Sequence, residues 1–259
     1  MELVLFLIAA GIIFYLYKTF QGYLSNPIVP TDRDTLQPQR QQDYVEERPI
    51  LSPKEKLKRT EYGIIVSILG RLSFADDKSC MLEERLVKGI IDDMAKDSDQ
   101  PSELYLEIYK ESRNDDIQEL AELFASETIG QYKKRVKIVE FMFALAYADG
   151  NFSQEEEDSI INVAAILEID NADFNHLYDS FKALNEEYVP LTKEEAMNLF
   201  GLNDGFTKEE LDSKYNDFFK QKRQNVIDPK NLGKPYNESG GQDLRKISEA
   251  YAVLLKEVD

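Results

Sequence analysis

Carboxylate side chains cluster at two places in the sequence, with the same spacing at each. Asp76 precedes Glu83 by seven residues, and Asp149 precedes Glu156 by seven. Hard cations such as Ca²⁺ and Mg²⁺ prefer clustered oxygen ligands of this kind. The sequence therefore offers a candidate site for a divalent cation, Ca²⁺ or Mg²⁺, as a possible cofactor. The candidate ligands are Asp76, Asp77, Glu83, Asp149 and Glu156, and their neighbouring carboxylates are Glu84, Glu155 and Glu157.

The same carboxylates also have a purely structural interpretation. The helix macrodipole stabilises acidic residues in the first turn of a helix, and Ser153 with Glu156 forms a capping box. The D-x-D-x-D-G run of an EF-hand loop is absent. His176, the single histidine, has no cysteine or histidine companion for a zinc site, so we predict a packing role for it. Cation binding and helix capping both stay open.

Helix-turn-helix units must position the two acidic turns. Residues 141–146 are apolar on every side of a helix, which predicts a fully buried central element. Gly150 can end that helix, and Ser153 can start the next one. Residues 74–84 align without a gap on residues 147–157, which places Cys80 where the second copy has Ser153. Two copies of one unit predict a single pseudo-duplicated domain.

Composition and charge predict an all-helical protein and make some classes of function unfavourable. The chain of 259 residues is 42% hydrophobic and contains no long stretch that alternates with period two. Its net charge of −18 repels phosphate backbones, so we expect no nucleic-acid partner. No phosphate loop or nucleophile-base pair occurs, so we predict no enzymatic activity, and a hydrolase built on the paired carboxylates is the least favoured interpretation. The predicted helices span residues 53–73, 82–96, 101–111, 115–127, 130–147, 153–167 and 171–185.

The N-terminal residues predict a membrane anchor. Residues 3–17 carry no charge, and Lys18 follows them. A cleaved signal peptide is less favoured because Glu2 replaces a basic start and no cleavage site follows. The positive-inside rule then places the body of the protein in the cytoplasm. We expect a single transmembrane helix, and the small residues Ala9, Ala10 and Gly11 could pair two anchors in a homodimer.

The C-terminal residues 190–259 resemble a J-domain. A Leu-Phe-Gly-Leu run at 199–202 precedes a capped helix that carries Tyr215, and a closing helix has apolar residues at helical spacing. The His-Pro-Asp tripeptide of J-domains is absent, and its place falls near residues 223–229. The resemblance implies docking on an acidic surface of a DnaK-type chaperone. The implied docking residues are Lys214, Lys220, Lys222, Arg223 and Asp228.

The paired aromatic-Ala-Asp turns, each leading into an acidic helix, resemble the TerB fold of tellurite-resistance proteins. The predicted architecture is all-α, with a transmembrane helix at 1–20, a flexible linker at 21–51, a TerB-like pseudo-duplicated domain at 52–187 and a small J-like domain at 190–259. This order resembles the membrane-anchored DnaJ-like co-chaperones of the DjlA type, which implies a co-chaperone at the bacterial inner membrane. The alternative is a membrane-tethered, TerB-like metal-binding adaptor of the stress-response type with a non-catalytic J-like tail.

Overall fold

The chain divides into two units, Met1–Arg48 and Pro49–Asp259. The computed structural model describes residues 14, 17–18, 51–75, 80–150, 152–186, 190–236 and 242–258, without the side chains of 184–186 and 242. Within these residues, no helix has both the length and the apolar character needed to cross a membrane. The anchor predicted at 1–20 and the linker predicted at 21–51 lie almost entirely outside the described residues, so both stay predictions.

The second unit is helical throughout its described ranges, which confirms the predicted all-α class. Between residues 51 and 258 these ranges contain eleven α-helices, two short 3-10 helices and no strand. The α-helices are α1 Pro53–Lys58, α2 Glu61–Ser73, α3 Met81–Ser98, α4 Ser102–Glu111, α5 Ile117–Glu127, α6 Tyr132–Ala146, α7 Gln154–Ile166, α8 Asn171–Glu186, α9 Lys193–Phe200, α10 Lys208–Lys222 and α11 Gln242–Leu255. The 3-10 helices are Ser112–Asn114 and Pro229–Asn231.

The single helix predicted at 53–73 is wrong, because the chain breaks it at Thr60. The Thr60 hydroxyl accepts a hydrogen bond from the Gly63 amide at 3.2 Å and starts α2 as its N-cap. Gly63 lies so close to the backbone of Leu57 and Lys58 that a β-carbon there would collide with both. The close approach therefore requires glycine, and α1 and α2 meet as separate helices.

Four reciprocal capping boxes set where helices begin. In each box a Ser or Thr hydroxyl accepts the backbone amide three residues on, while the Glu at that position accepts the amide of the cap. The Ser/Thr-x-x-Glu pattern of each pair predicts a helix start, and the structure confirms all four. The pairs are Ser52 with Glu55, Ser153 with Glu156, Thr192 with Glu195, and Thr207 with Glu210.

The core of the bundle surrounds α6. Residues 141–146 are buried on all sides, as predicted for the central helix. The Phe143 ring stacks on Phe181 with their centroids 5.6 Å apart, and it also contacts the rings of Phe152 and Phe174. Helical spacing predicts that α7 turns an inward face to this core. The structure buries Ile160, Val163, Ala164 and Leu167 as predicted, but the prediction is wrong for Ile161, which is 43% exposed.

Helices α9, α10 and α11 pack together and belong to the same compact unit. The Tyr215 ring lies 4.5 Å from the Tyr251 ring, and the Tyr215 hydroxyl lies 2.9 Å from the Ser248 hydroxyl. Helix α11 also contacts α3 of the preceding helices. The boundary predicted between 187 and 190 falls largely on residues outside the described ranges, so the division into two domains stays a prediction.

Candidate functional site

Of the predicted cation ligands that the structure describes, Glu83 and Glu156 lie at helix starts and Asp149 lies in the turn after α6. Asp76 and Asp77 fall outside the described residues. Glu83 and Glu156 both occupy the third position of their helices, and each is 8% exposed. The Glu156 carboxylate accepts hydrogen bonds from the amide and the hydroxyl of Ser153, both at 2.9 Å. Glu156 therefore has the capping role that the structural interpretation predicted.

Cys80 and Ser153 occupy equivalent positions in the two copies of the repeat, as predicted. The Cys80 thiol accepts the Glu83 amide at 3.4 Å, and the Ser153 hydroxyl accepts the Glu156 amide at 3.2 Å. Burial raises the pKa of the Cys80 thiol, and the hydrogen bond from Glu83 only partly opposes this rise. The thiol acts as a helix cap here, in the place where a hydroxyl is the usual group.

The exposed residue Asp149 lies in the second acidic turn, and its charge affects the pKa values of one residue in the first copy and one on α11. Its charge contributes to the raised pKa of Cys80 at the start of α3. Burial lowers the pKa of Arg245 on α11, while the negative charge of Asp149 acts in the opposite direction. The charge of Asp149 therefore acts both on the start of α3 and on a cation of α11.

The described carboxylates do not by themselves complete a metal site. Among the residues that the structure describes, no group of three or more His, Cys, Asp or Glu side chains is placed to hold a metal ion. The set that includes Asp76 and Asp77 stays a prediction because these residues lie outside the described ranges. The predicted packing role of His176 is wrong, since its position on α8 leaves it exposed.

Arg223, one of the implied docking residues, is bound inside the chain. Its guanidinium donates two hydrogen bonds to the Asp93 carboxylate of α3, at 2.5 and 2.9 Å. Burial alone would lower the pKa of Arg223, but the hydrogen bond and charge of Asp93 outweigh it and raise this pKa. A bidentate pair of this kind is among the stronger polar contacts in proteins.

Two further implied docking residues also have partners within the chain. Lys222 forms an ion pair with Asp243 at 2.7 Å, and the Asp228 carboxylate caps the second 3-10 helix by accepting the Lys230 amide at 2.9 Å. Lys214 and Lys220 are exposed, and neither forms an ion pair with a residue in the described ranges. The chaperone-docking role of the five residues stays a prediction.

The end of α10 packs against one face of α3. Arg85, Gly89 and Asp93 recur every four residues and so lie on the same side of the helix. The Arg85 guanidinium donates to the Asn216 side-chain oxygen at 2.5 Å and lies 4.9 Å from the centre of the Tyr215 ring. A β-carbon on Gly89 would lie 2.8 Å from the Arg223 side chain, so Gly89 makes room for it.

The segment that follows α10 forms hydrogen bonds with a buried ion pair on α6. We call residues 223–236 the strap. The side chains of Lys137 and Glu140 are 2% and 7% exposed, and their charged atoms lie 2.5 Å apart. The Lys137 ammonium also donates to the backbone oxygen of Lys234 at 2.5 Å, and Glu140 accepts the Tyr236 amide at 2.6 Å. The Tyr236 ring packs edge-on against Phe141 with a centroid distance of 5.8 Å.

Sequence reasoning missed both contacts of the strap. A signal for the second was available, because Lys137 and Glu140 are charged residues three positions apart directly before the buried run of α6. Charges at such positions need partners, since an unpaired buried charge is strongly unfavourable. No comparable signal pointed to Asp93, whose partner is 130 residues away in the sequence.

A polar cavity of about 490 Å³ lies beside the turn between α9 and α10. Gly201 and Gly205 form this turn in the left-handed conformation, which glycine adopts without strain. Asp204, Asp217 and Lys214 line the cavity and give it charges of both signs. The mixed lining does not select one class of ligand.

Comparison with known proteins gives one positive result. Residues 64–179 match the family model described as tellurite resistance protein TerB, which covers less than half of the chain. No curated protein and no solved structure matches the chain. A TerB domain is therefore found from α2 to α8, whereas α9, α10, α11 and the strap lie outside the match.

Proposed function

We propose that this chain, in which residues 64–179 are a TerB domain, is a membrane-tethered adaptor without enzymatic activity. In this proposal the C-terminal helices are a fixed structural part of the adaptor and do not act as a free chaperone-activating module. The observation that carries the proposal is the bidentate bond between Arg223 and Asp93. It ties the cationic end of α10 to the TerB domain.

The position of the strap supports the same conclusion. In the resemblance to a J-domain, residues 223–229 of the strap would correspond to the His-Pro-Asp tripeptide. The strap is held by Asp93 at one end and by the Lys137–Glu140 pair at the other. A partner that approaches this segment would meet backbone groups that are already hydrogen-bonded within the chain.

The membrane and oligomer assignments complete the proposal. The uncharged residues 3–17 would tether the protein to the bacterial inner membrane as a single-pass anchor, with the body in the cytoplasm. Two anchors could associate through Ala9, Ala10 and Gly11. A TerB-containing body at the membrane would then present a strongly acidic surface, in line with the net charge of −18.

A divalent cation, Ca²⁺ or Mg²⁺, is the proposed ligand of the acidic turns. The repeat supports it, and so does the charge of Asp149 in the second turn, which contributes to the raised pKa of Cys80 at the start of α3. The described carboxylates do not fit a complete site without Asp76 and Asp77, so the adaptor function includes no step that depends on the cation.

The cation proposal has a direct test in thermal unfolding of the full chain. Ca²⁺ or Mg²⁺ should raise Tm, since a ligand that binds the folded state stabilises it. Replacing Asp76 and Asp149 by Asn should remove the shift, while Asp92→Asn, an exposed change on α3, should retain it. An unchanged Tm in the wild-type chain would contradict cation binding.

A co-chaperone role is the second candidate function. The order of α9, α10 and α11, with Tyr215 packed on Tyr251, supports it because a J-domain has a similar hairpin. Single-turnover ATP hydrolysis by a DnaK-type chaperone, with and without the full chain, separates the two candidates. We expect no stimulation by the wild-type chain. Stimulation that is lost in Asp228→Asn would overturn the adaptor proposal in favour of the co-chaperone.

A further inference from the structure

Basic residues concentrate at the end of α10 and in the strap, although the chain as a whole is strongly acidic. Residues 220–234 contain Lys220, Lys222, Arg223, Lys230 and Lys234. Asp228 is the single acidic residue among them. This stretch therefore has a local excess of basic residues within a chain of net charge −18, and the carboxylates of Asp243 and Asp93 pair with two of them, Lys222 and Arg223. Basic clusters of this kind favour acidic partners.

Carboxylates of the TerB domain already occupy part of this cationic stretch. Asp93 holds Arg223, and Glu140 holds the far end of the strap through the Tyr236 amide. We propose that the strap is an intramolecular latch, in which Asp93 shields the cationic end of α10 from an acidic partner segment until Arg223 is released. The inference rests on the proposed adaptor function, in which the C-terminal helices are fixed to the TerB domain.

The two ends of the latch differ in how easily they can open. The Lys137–Glu140 end is almost fully buried, and removing its strap contacts would take polar partners from two buried charges. The Arg223–Asp93 end is more accessible, with side chains that are 22% and 15% exposed. Carboxylates from a partner can reach and compete for the Arg223 guanidinium, so the Asp93 end is the releasing end and the Glu140 end is the fixed end.

Because of Gly89, Arg223 can be released from Asp93 by a movement confined to its own surroundings. The Arg223 side chain lies against Gly89, and no side chain of α3 covers it at that position. In the latch Arg223 turns away from Asp93 while the buried α10 residues Tyr215 and Phe219 keep their packing, Tyr215 against Tyr251 and beneath Arg85. The latch opens by rearrangement of one arginine and the adjacent backbone.

Hydrogen exchange on the full chain tests the latch. Asp93→Asn removes the charge that holds Arg223, and Asp92→Asn is the matched control because it makes the same change at an exposed neighbour. In Asp93→Asn we expect the amides of Arg223 and Ile227 to exchange at least about tenfold faster than in the control, as loss of a charged hydrogen bond implies. The Tyr236 amide, bonded to Glu140, should keep its protection.

Two exchange results would overturn the latch. Equal rates in the two variants would mean that Asp93 does not hold the strap closed. Faster exchange at the Tyr236 amide as well would mean that the strap leaves as a whole and has no fixed end.

A binding measurement tests what the open latch exposes. A short oligoglutamate peptide carrying a fluorophore serves as the acidic probe, and fluorescence anisotropy at low salt reports its affinity. We expect tighter binding to Asp93→Asn than to Asp92→Asn, and loss of this gain when Arg223→Gln is added. Equal affinities would overturn the proposal. Failure of the adaptor proposal would appear as ATP hydrolysis stimulated by the wild-type chain. Failure of the latch would appear as no difference between the two variants, so the two failures are distinguishable.

Discussion

Lys137 and Glu140 are two charges at the buried edge of an apolar core. Each ion has a partner from outside its own helix, since Lys137 donates to the Lys234 carbonyl and Glu140 accepts the Tyr236 amide. A buried pair offsets its desolvation only when such additional hydrogen bonds are complete. The strap supplies them, so the stability of α6 and the position of the strap depend on each other.

Replacing Glu140 by Gln should destabilise the protein more than replacing both members of the pair. The single change leaves the Lys137 charge buried without its counter-ion, and losing one partner of a buried pair costs about 3–5 kcal/mol. Adding Lys137→Met to Glu140→Gln removes the uncompensated charge and should recover part of that loss. Urea unfolding of the three chains measures the order. A double variant that is less stable than the single one would contradict this account of the pair.

Local side-chain rules identified the caps but not the long-range pairs. Ser153 with Glu156 could be predicted because both partners lie within one helical turn. The Arg223–Asp93 bond joins residues that become neighbours only when α10 packs on α3, so no local pattern contains it. Helical spacing predicts Ile161 on the inward face of α7, and the lack of a zinc-ligand companion predicts a packing role for His176. Both side chains are exposed, because no packing partner covers their positions.

At the scale of elements, α3 carries a face adapted to α10. Gly89 lies between Arg85 and Asp93 on this face, and its missing side chain provides the space for Arg223. Glycine within a helix is otherwise unfavourable by about 1 kcal/mol relative to alanine. The presence of Gly89 in the middle of α3 is therefore explained by the contact with α10.

The effect of Gly89→Ala should depend on Arg223. With Arg223 present, the added methyl group meets the arginine side chain, and the gain in helix propensity should be reduced or reversed. In an Arg223→Ala background the same change should stabilise the protein by about 0.5–1 kcal/mol, because the space is then empty. A double-mutant cycle in urea measures this coupling. Equal effects in both backgrounds would show that the two residues do not interact.

The capping box of α9 should make its start sensitive to acid. Hydrogen bonds from the Thr192 amide and hydroxyl lower the pKa of Glu195 below its ordinary value of 4.5. A carboxyl with a lowered folded pKa contributes stability above its unfolded pKa, and this contribution disappears as pH falls through the folded pKa.

Glu195→Gln separates this titration from the rest of the protein. Glutamine can keep the reciprocal hydrogen bond but carries no titrating group. The stability advantage of the wild-type chain over this variant should be constant near neutral pH and should shrink as pH falls below 4.5. Urea midpoints of both chains at several pH values provide the measurement. An advantage that grows in acid would contradict the assigned direction of the pKa shift.

Helix boundaries show what element-level prediction could achieve. The helices predicted at 101–111 and 171–185 agree with Ser102–Glu111 and Asn171–Glu186 to within one residue. The prediction of one helix at 53–73 is wrong at Thr60, where α2 begins. The close approach of α1 to α2 that requires Gly63 is a tertiary contact, and the sequence pattern does not contain it.

At the scale of the whole molecule, the TerB domain and the C-terminal helices are parts of one compact unit. The sequence suggested two successive domains because each part resembles a separate family. The contacts that join them, at Asp93 and at the Lys137–Glu140 pair, are polar pairs between distant segments. The adaptor proposal depends on this union, since a free C-terminal module could act on a chaperone by itself.

Equilibrium unfolding observed at two sites tests this union most directly. The chain contains no tryptophan, so Phe174→Trp in the TerB domain and Phe218→Trp on α10 each place one reporter at a partly buried aromatic position. If the two parts form one cooperative unit, the urea transitions of the two single-tryptophan chains should coincide, and each should coincide with loss of helical circular dichroism. Separate transitions, with the α10 reporter unfolding first while the TerB reporter stays native, would contradict the account.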